Sequence, residues 1–328
     1  MSDATKTPIK RGARRLVGSS AIRSVMTIGD VWIMRILRDA FRGHRRFGEW
    51  EASLGIGKPL LSNRLSRLVK AGVFRKTPVE RTPGFKEYVL TEQGLDLWPL
   101  FIAIWKWEQT WDRNPLIQRG RLTHLTCGHQ ITPVSSCSHC GKPLDAFSTS
   151  PIPGPGASGT YQAPPRLQRR SEVAADRPGE VAMGTQAAKI LGDLWINLII
   201  AAGFTGAKRF ADFEERVGIS PAVLADRLKL MVDLGVFNRS QYQAGPNRFE
   251  YRFSRKGLDI FPITLELVRW GDKWLAGKSG PPLLVIHKDC GHAMHNEFRC
   301  SECGEVLKRR DLRLKYAVQR QVVAKSTQ

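Results

Sequence analysis

Cysteine is scarce in this sequence, with six in 328 residues. So few thiols cannot stitch a chain of this length into a disulfide-dense secreted scaffold. Four of them fall in two C-x-x-C pairs, a spacing that suits metal ligation in a reducing compartment. Long apolar runs are also missing. The longest, Leu97 to Trp105, is well short of the roughly 20 residues that a spanning helix requires. The first 25 residues are basic and lack the apolar stretch of a signal peptide. A soluble, unsecreted, cytoplasmic protein is therefore expected, with no membrane partner. Acidic residues are in deficit as well: 30 Asp and Glu stand against 51 Lys and Arg, a formal charge of +21. That excess points to a polyanionic partner, either nucleic acid or an acidic membrane surface. Apolar residues are not lacking. At 42% of the chain they can bury at least one substantial core, and the length suggests about two domains.

Self-comparison shows a tandem duplication. Gly29-Asp30-Val31-Trp32 recurs as Gly192-Asp193-Leu194-Trp195, Gly72-Val73-Phe74 as Gly235-Val236-Phe237, and Gly94-Leu95-Asp96 as Gly257-Leu258-Asp259. Every pair is separated by 163 positions (192 − 29). The same offset carries Trp107 and Trp111 onto Trp270 and Trp274, and the three cysteines of one half onto those of the other. Between the copies, residues 148–184 are rich in Pro, Gly, Ser and Ala without an apolar period, and read as a flexible linker spanning on the order of 35 Å. The copies can therefore meet. A basic N-terminal tail (1–25) and a basic C-terminal tail (308–328) hold much of the positive excess and read as solvated extensions.

Within the first copy, apolar residues at helical spacing predict helices over 30–41, 47–54 and 58–71. The third has an apolar stripe of Leu61, Leu65 and Leu68. That leaves Lys58, Ser62, Asn63, Arg64, Arg67 and Lys70 on a polar, basic face. Short strands over 73–77 and 85–90 follow, joined by a turn with Pro83-Gly84, and Arg75, Lys76, Arg81 and Lys86 lie in or around this hairpin. A long helix from Thr91 to Trp111 closes the copy, with a kink expected at Pro99 and, in the second copy, at Pro262. Its tryptophans, Trp105, Trp107 and Trp111 with Trp270 and Trp274, have the spacing of helix pairing or core packing rather than base stacking. Helix, helix, basic helix and basic hairpin is the order of a winged helix-turn-helix, whose third helix enters the DNA major groove while the hairpin touches the flanking backbone. The fold expected is thus α+β, mainly α, with winged-helix domains over 26–112 and 185–275, and double-stranded DNA as partner. In the second copy the corresponding DNA-facing residues are Arg227 and Lys229 on the helix, with Arg239, Arg248 and Arg252 on the hairpin.

These segments resemble the HxlR-type winged-helix transcriptional regulators of bacteria. The resemblance rests on Gly29 to Trp32 at the first core helix, Arg45 to Glu49 before the second and Leu61 to Leu65 in the third. After the hairpin it adds Glu87-Tyr88-Val89-Leu90-Thr91-Glu92-Gln93-Gly94. It covers about 85 residues of each copy and implies a DNA-binding regulator that works with two winged helices, usually as a homodimer paired through terminal helices. Here either the two copies pair within one chain or the chain forms a homodimer. The copies differ where it matters. Ser62-Asn63-Arg64 is replaced by Ala225-Asp226-Arg227, and an acid on a groove-facing helix repels phosphate or favours a cytosine edge. The second hairpin also departs from the pattern, ending in Tyr251-Arg252-Phe253-Ser254. The first copy is therefore expected to read bases more strongly, Arg64 more than Arg227, on an asymmetric site.

After each long helix comes a cysteine cluster: His124-x2-Cys127, then Cys137-x2-Cys140, and in the second copy His287-x2-Cys290, then Cys300-x2-Cys303. Two ligand pairs at a two-residue gap, each followed by glycine, suit one tetrahedral ion, and soft thiolates with one imidazole suit zinc. The expectation is one structural zinc ion per copy, in zinc-ribbon-like modules over 120–147 and 283–307, with His129 and His292 as rival fourth ligands. With four protein ligands no open position remains for catalysis, so an enzyme is not expected. The reading is a sequence-specific, nucleoid-associated regulator. The alternatives are a non-specific architectural DNA-binding protein and, behind it, a zinc-dependent enzyme. Room is left for a small-molecule effector of unspecified chemistry.

Overall fold

The computed structural model describes residues 20–78, 86–113, 120–158, 185–243 and 248–315. In the first copy the elements are α1 (Ser20–Ile28), α2 (Val31–Phe41), α3 (Phe47–Leu54), α4 (Lys58–Lys70), β1 (Phe74–Pro78), β2 (Lys86–Leu90), α5 (Glu92–Leu95) and α6 (Trp98–Trp111). The strands β3 (Arg121–His124), β4 (Pro133–Cys137) and β5 (Thr149–Pro153) follow. The second copy repeats them as α7 (Thr185–Leu191), α8 (Leu194–Phe204), α9 (Phe210–Val217), α10 (Pro221–Asp233), β6 (Phe237–Gln241), β7 (Phe249–Phe253), α11 (Arg255–Leu258) and α12 (Phe261–Leu275). It ends with β8 (Leu283–His287), β9 (Ala293–Met294), β10 (Asn296–Cys300) and β11 (Leu312–Lys315). The expected mainly α, mixed architecture with two winged helices is what the chain adopts.

Local chemistry explains the helix starts. Asp30 caps α2, its Oδ1 accepting from the N–H groups of Trp32 and Ile33 at 3.0 and 3.1 Å, and Asp193 caps α8 in the same way. One carboxylate caps each of the next helices. Glu49 accepts from the N–H of Arg45 and Arg46, and Asp212 from Lys208 and Arg209. The core of the first winged helix closes around Trp50, which is fully buried and donates its indole N–H to Ile36 O at 3.1 Å, with Leu61, Leu65, Leu68 and Phe74 packed about it. In the hairpins, β1 and β2 pair antiparallel with Phe74 opposite Leu90, and β6 and β7 with Phe237 opposite Phe253.

The predicted kinks do not occur. Each long helix is instead divided: α5 ends at Leu95, α6 begins at Trp98, and Pro99 lies in its first turn, as Pro262 does in α12. A proline's missing N–H is harmless there, because first-turn donors have no intrahelical acceptor. Domain edges differ too. The segment read as tail begins a helix at Ser20, and α1 packs along α12 of the other copy, where Ser24 Oγ donates to Leu267 O at 2.7 Å. Contact is close enough that a Cβ on Gly271 would sit 2.2 Å from Ser20 O. The start of the presumed linker is a strand, β5, and part of the presumed C-terminal tail is its counterpart, β11.

The two copies pair within the chain about a local twofold axis. Trp107 Nε1 donates to Lys256 O at 3.0 Å and Trp270 Nε1 to Gln93 O at 2.9 Å, each the image of the other under the 163-residue offset. The next turn repeats the relation, with Trp111 Nε1 on Asp259 Oδ2 and Trp274 Nε1 on Asp96 Oδ2. Tryptophan thus serves pairing and core, as its spacing predicts; Trp107 and Trp270 are 2% and 0% exposed. Below the helices β4 lies antiparallel to β10, and Ser135 faces Phe298, its own counterpart (298 − 135 = 163), so the axis crosses this ladder. Flanking it, β3 pairs with β11 and β5 with β8, again across copies.

Candidate metal centres and nucleic-acid interface

This exchange of strands decides how the Cys and His side chains meet. Each of the four ligand pairs sits on a tight turn at the end of a strand, with glycine next in a left-handed conformation: Gly128, Gly141, Gly291 and Gly304 at φ 71 to 78°. Backbone N–H groups converge on the sulfurs. His139 N–H donates to Cys137 Sγ at 3.4 Å, and those of Glu302 and Cys303 to Cys300 Sγ at 3.4 and 3.5 Å. Burial pushes the Cys300 thiol up, but these donors and the neighbouring thiols outweigh it and bring it down to about 7.

Two four-residue clusters result, one of His124, Cys127, Cys300 and Cys303, the other of Cys137, Cys140, His287 and Cys290, with all ligand atoms of a cluster within 4.8 Å of one another. This corrects the expectation of one site per copy. The same eight residues are used, but each site takes its His-x2-Cys pair from one copy and its Cys-x2-Cys pair from the other. The physical reason is the cross-copy ladder β4–β10, which carries each Cys-x2-Cys turn over to the partner's His-x2-Cys turn. Cys127 Sγ is 3.8 Å from Cys300 Sγ, and Cys137 Sγ is 4.0 Å from Cys290 Sγ. The sulfur to Nδ1 distances are 3.3 and 3.4 Å to His287 and 3.5 Å to His124. A tetrahedron with metal–sulfur bonds of about 2.3 Å and metal–nitrogen bonds of about 2.0 Å has edges of about 3.8 and 3.5 Å, so the donors already stand at the corners a metal ion would require. His124 and His287 are buried within the clusters, while the rival His129 and His292 are exposed.

The DNA-facing residues divide into two groups. Lys58, Ser62 and Asn63 are exposed along α4 with Ser66 and Lys70, Arg67 is half-buried, and Arg75, Lys76 and Lys86 are exposed on the hairpin. In the second copy Ala225, Asp226 and Lys229 hold the same exposed positions of α10, and Arg239, Arg248 and Arg252 are exposed on the second hairpin. Arg81 lies outside the described residues. Several of these cations have internal partners. Arg252 pairs with Glu250 at 2.7 Å, and Arg239 lies over the Phe249 ring at 3.5 Å.

Arg64 and Arg227 do not belong to this surface. The Arg64 side chain is 7% exposed and its Nη2 lies 2.9 Å from Asp30 Oδ2, and Arg227 Nε lies 2.7 Å from Asp193 Oδ2. Each guanidinium turns back under the helix to the aspartate that caps the first core helix, because a buried arginine must find an anion and the cap carboxylate has a spare oxygen. An Asp followed 34 positions later by Arg, in both copies, was the available signal. Exposed Arg46 and Arg209, ion-paired with Glu87 and Glu250 on the hairpins, were also missed.

Paired winged helices, each offering a polar helix and a basic hairpin, define a DNA-binding protein of the helix-turn-helix class. The HxlR-like helix-turn-helix family matches residues 27–115 and again 190–279, more than half of the chain, and the protein belongs to that family. A helix-turn-helix transcriptional regulator of Mycobacterium tuberculosis is 39% identical over 144 residues, covering 44% of this chain and 91% of the relative. Another, YvaP of Bacillus subtilis, is 33% identical over 91 residues, 27% of this chain and 84% of the relative. The solved structure of PA1607 is 27% identical and covers 40% of this chain and 94% of its own, with a TM-score of 0.36. The Mycobacterium and Bacillus relatives are transcriptional regulators and not enzymes. No described helix is long and apolar enough to cross a membrane.

Proposed function

We propose that the chain is a sequence-specific regulator that grips double-stranded DNA with two winged helices of one chain, held in register by two structural zinc ions. One observation carries the reading: the Trp107/Trp270 and β4–β10 contacts fix α4 and α10 about a local twofold axis, with the same helical positions exposed on both. That arrangement suits two half-sites on one duplex. Zinc, when bound, supplies a rigid tetrahedral junction between strands of different copies and no reactive position. Holding the copies is otherwise the work of the chain itself, through the tryptophan hydrogen bonds and the packing of α1 on α12. The proposed setting is the bacterial cytoplasm, on the nucleoid, where thiolates stay reduced and the +21 charge meets DNA.

The test is selection of bound fragments from a random DNA pool at two salt concentrations, with the metal content of the protein measured in parallel. Two half-sites about one helical turn apart and two zinc ions per chain are expected. Binding that disappears at higher salt with no motif enriched would instead assign the chain to non-specific architectural binding.

A further inference from the structure

The two recognition helices present opposite hydrogen-bonding characters at one equivalent position. In the first copy Asn63 is exposed on α4, and its Oδ1 accepts from Arg64 Nη1 at 2.9 Å, while Arg64 Nη2 is anchored on Asp30. Guanidinium groups only donate, so the amide atom facing Arg64 is the oxygen, which leaves the two N–H donors of Asn63 directed to solvent. In the second copy the equivalent residue is Asp226 (226 − 63 = 163), exposed on α10 and without a hydrogen bond or ion pair to any described residue. Its carboxylate only accepts. Arg227 is held away from it on Asp193 at 2.7 Å. The neighbour differs in the same sense: Ser62, which can donate, is replaced by Ala225, which offers a methyl. Both positions lie in the first two turns, the part of a recognition helix that reaches base edges.

We infer that this protein's binding site is not a palindrome at the base pair faced by residues 63 and 226: the first half-site carries a purine there, whose N7 accepts from the Asn63 amide, and the second a cytosine, whose N4 amine donates to Asp226. This rests on the proposal that α4 and α10 both enter the major groove. The base edges follow from donor and acceptor matching, in which both purines offer the N7 acceptor to the Asn63 donors and cytosine offers the isolated N4 donor to Asp226. Among the exposed residues of α10 are two acids, Asp226 and Asp233, where α4 has Asn63 and Lys70. With Lys229 standing where α4 has Ser66, the second helix still gains less from phosphates than the first and relies more on base contacts and on its covalent tie to it.

Selection from a random pool with the full-length, metal-loaded chain tests the inference, run on wild type, Asp226→Asn and Asn63→Asp. These exposed substitutions leave the core intact, and circular dichroism of each variant verifies it. The expected wild-type motif has two half-sites that differ at one pair. Asp226→Asn should turn the second half-site from cytosine toward a purine, and Asn63→Asp the first toward cytosine, each by roughly 5- to 150-fold in preference at that pair alone. A wild-type motif symmetric at every pair overturns the inference and leaves the paired-helix reading standing. So does tighter binding of Asp226→Asn to all sequences equally, which marks Asp226 as a source of phosphate repulsion. No enriched motif in any protein overturns both.

Discussion

Replacing Arg64 by methionine separates a structural ion pair from a DNA contact. The side chains of Arg64 and Asp30 are 7% and 12% exposed, and their ion pair is 2.9 Å long. After the substitution Asp30 keeps its cap bonds through Oδ1, but Oδ2 loses its cation in a site that water reaches poorly. Breaking a fully buried pair from one side costs about 3–5 kcal/mol; slight access of water to Asp30 places the expected loss near the lower end, about 3 kcal/mol. Asp30→Asn retains a cap oxygen while removing the charge. The double variant Asp30→Asn/Arg64→Met should therefore recover much of the loss, with a coupling of about 1–3 kcal/mol. Urea unfolding followed by tryptophan fluorescence reads all four proteins. Arg64→Met that unfolds at the wild-type urea concentration yet no longer binds DNA would refute the reasoning and return Arg64 to the groove.

Cys127→Ser/Cys303→Ser strikes one cluster and should leave one metal ion per chain, whereas Cys127→Ser/Cys140→Ser strikes both and should leave none; elemental analysis showing the reverse would restore single-copy sites. A chelator that strips both ions should lower the unfolding temperature and weaken DNA binding, with recovery on adding zinc. Gly271→Ala places a methyl against Ser20 O and should destabilise the chain by about 1–3 kcal/mol in thermal unfolding, with no change in metal content. Burial raises the Asp272 carboxyl from 3.8 to about 6, more than Ser20 and Arg23 lower it. Its proton is therefore held more tightly in the folded state, and stability falls as pH rises through roughly 4 to 6. Asp272→Asn should then stabilise the protein at pH 8, by about 1–2 kcal/mol after allowing for its partial exposure, and have little effect at pH 4.

The duplication, the winged-helix order and all eight metal-ligand candidates could be read from spacing, because each depends on residues near one another in the chain. The pairing of ligands could not. In a tandem repeat, His124 finds the same Cys-x2-Cys motif at the same register in its own copy and in the other, and only the β4–β10 ladder chooses between them. Arg64 was misplaced for a related reason. Helical spacing put it on the polar side of α4, but its partner Asp30 lies on another element, and a long side chain can turn inward to an anion that periodicity does not reveal. Pro99 and Pro262 signalled an irregularity correctly and its kind wrongly, since proline opens a new helix as readily as it bends an old one.

The crossing of metal ligands between copies also fixes when they can meet. Cys303 and His124 are separated by 179 positions and Cys127 and Cys300 by 173. While the first copy is leaving the ribosome it carries half of each site, and neither tetrahedron can close until the second copy's ligands, to Cys290 in one cluster and Cys303 in the other, have been translated. A chain truncated ahead of His287 keeps every residue of the first winged helix but can complete neither cluster. Capture of a metal ion by either cluster would thereby report that the second copy has been made, since each tetrahedron needs ligands from both halves.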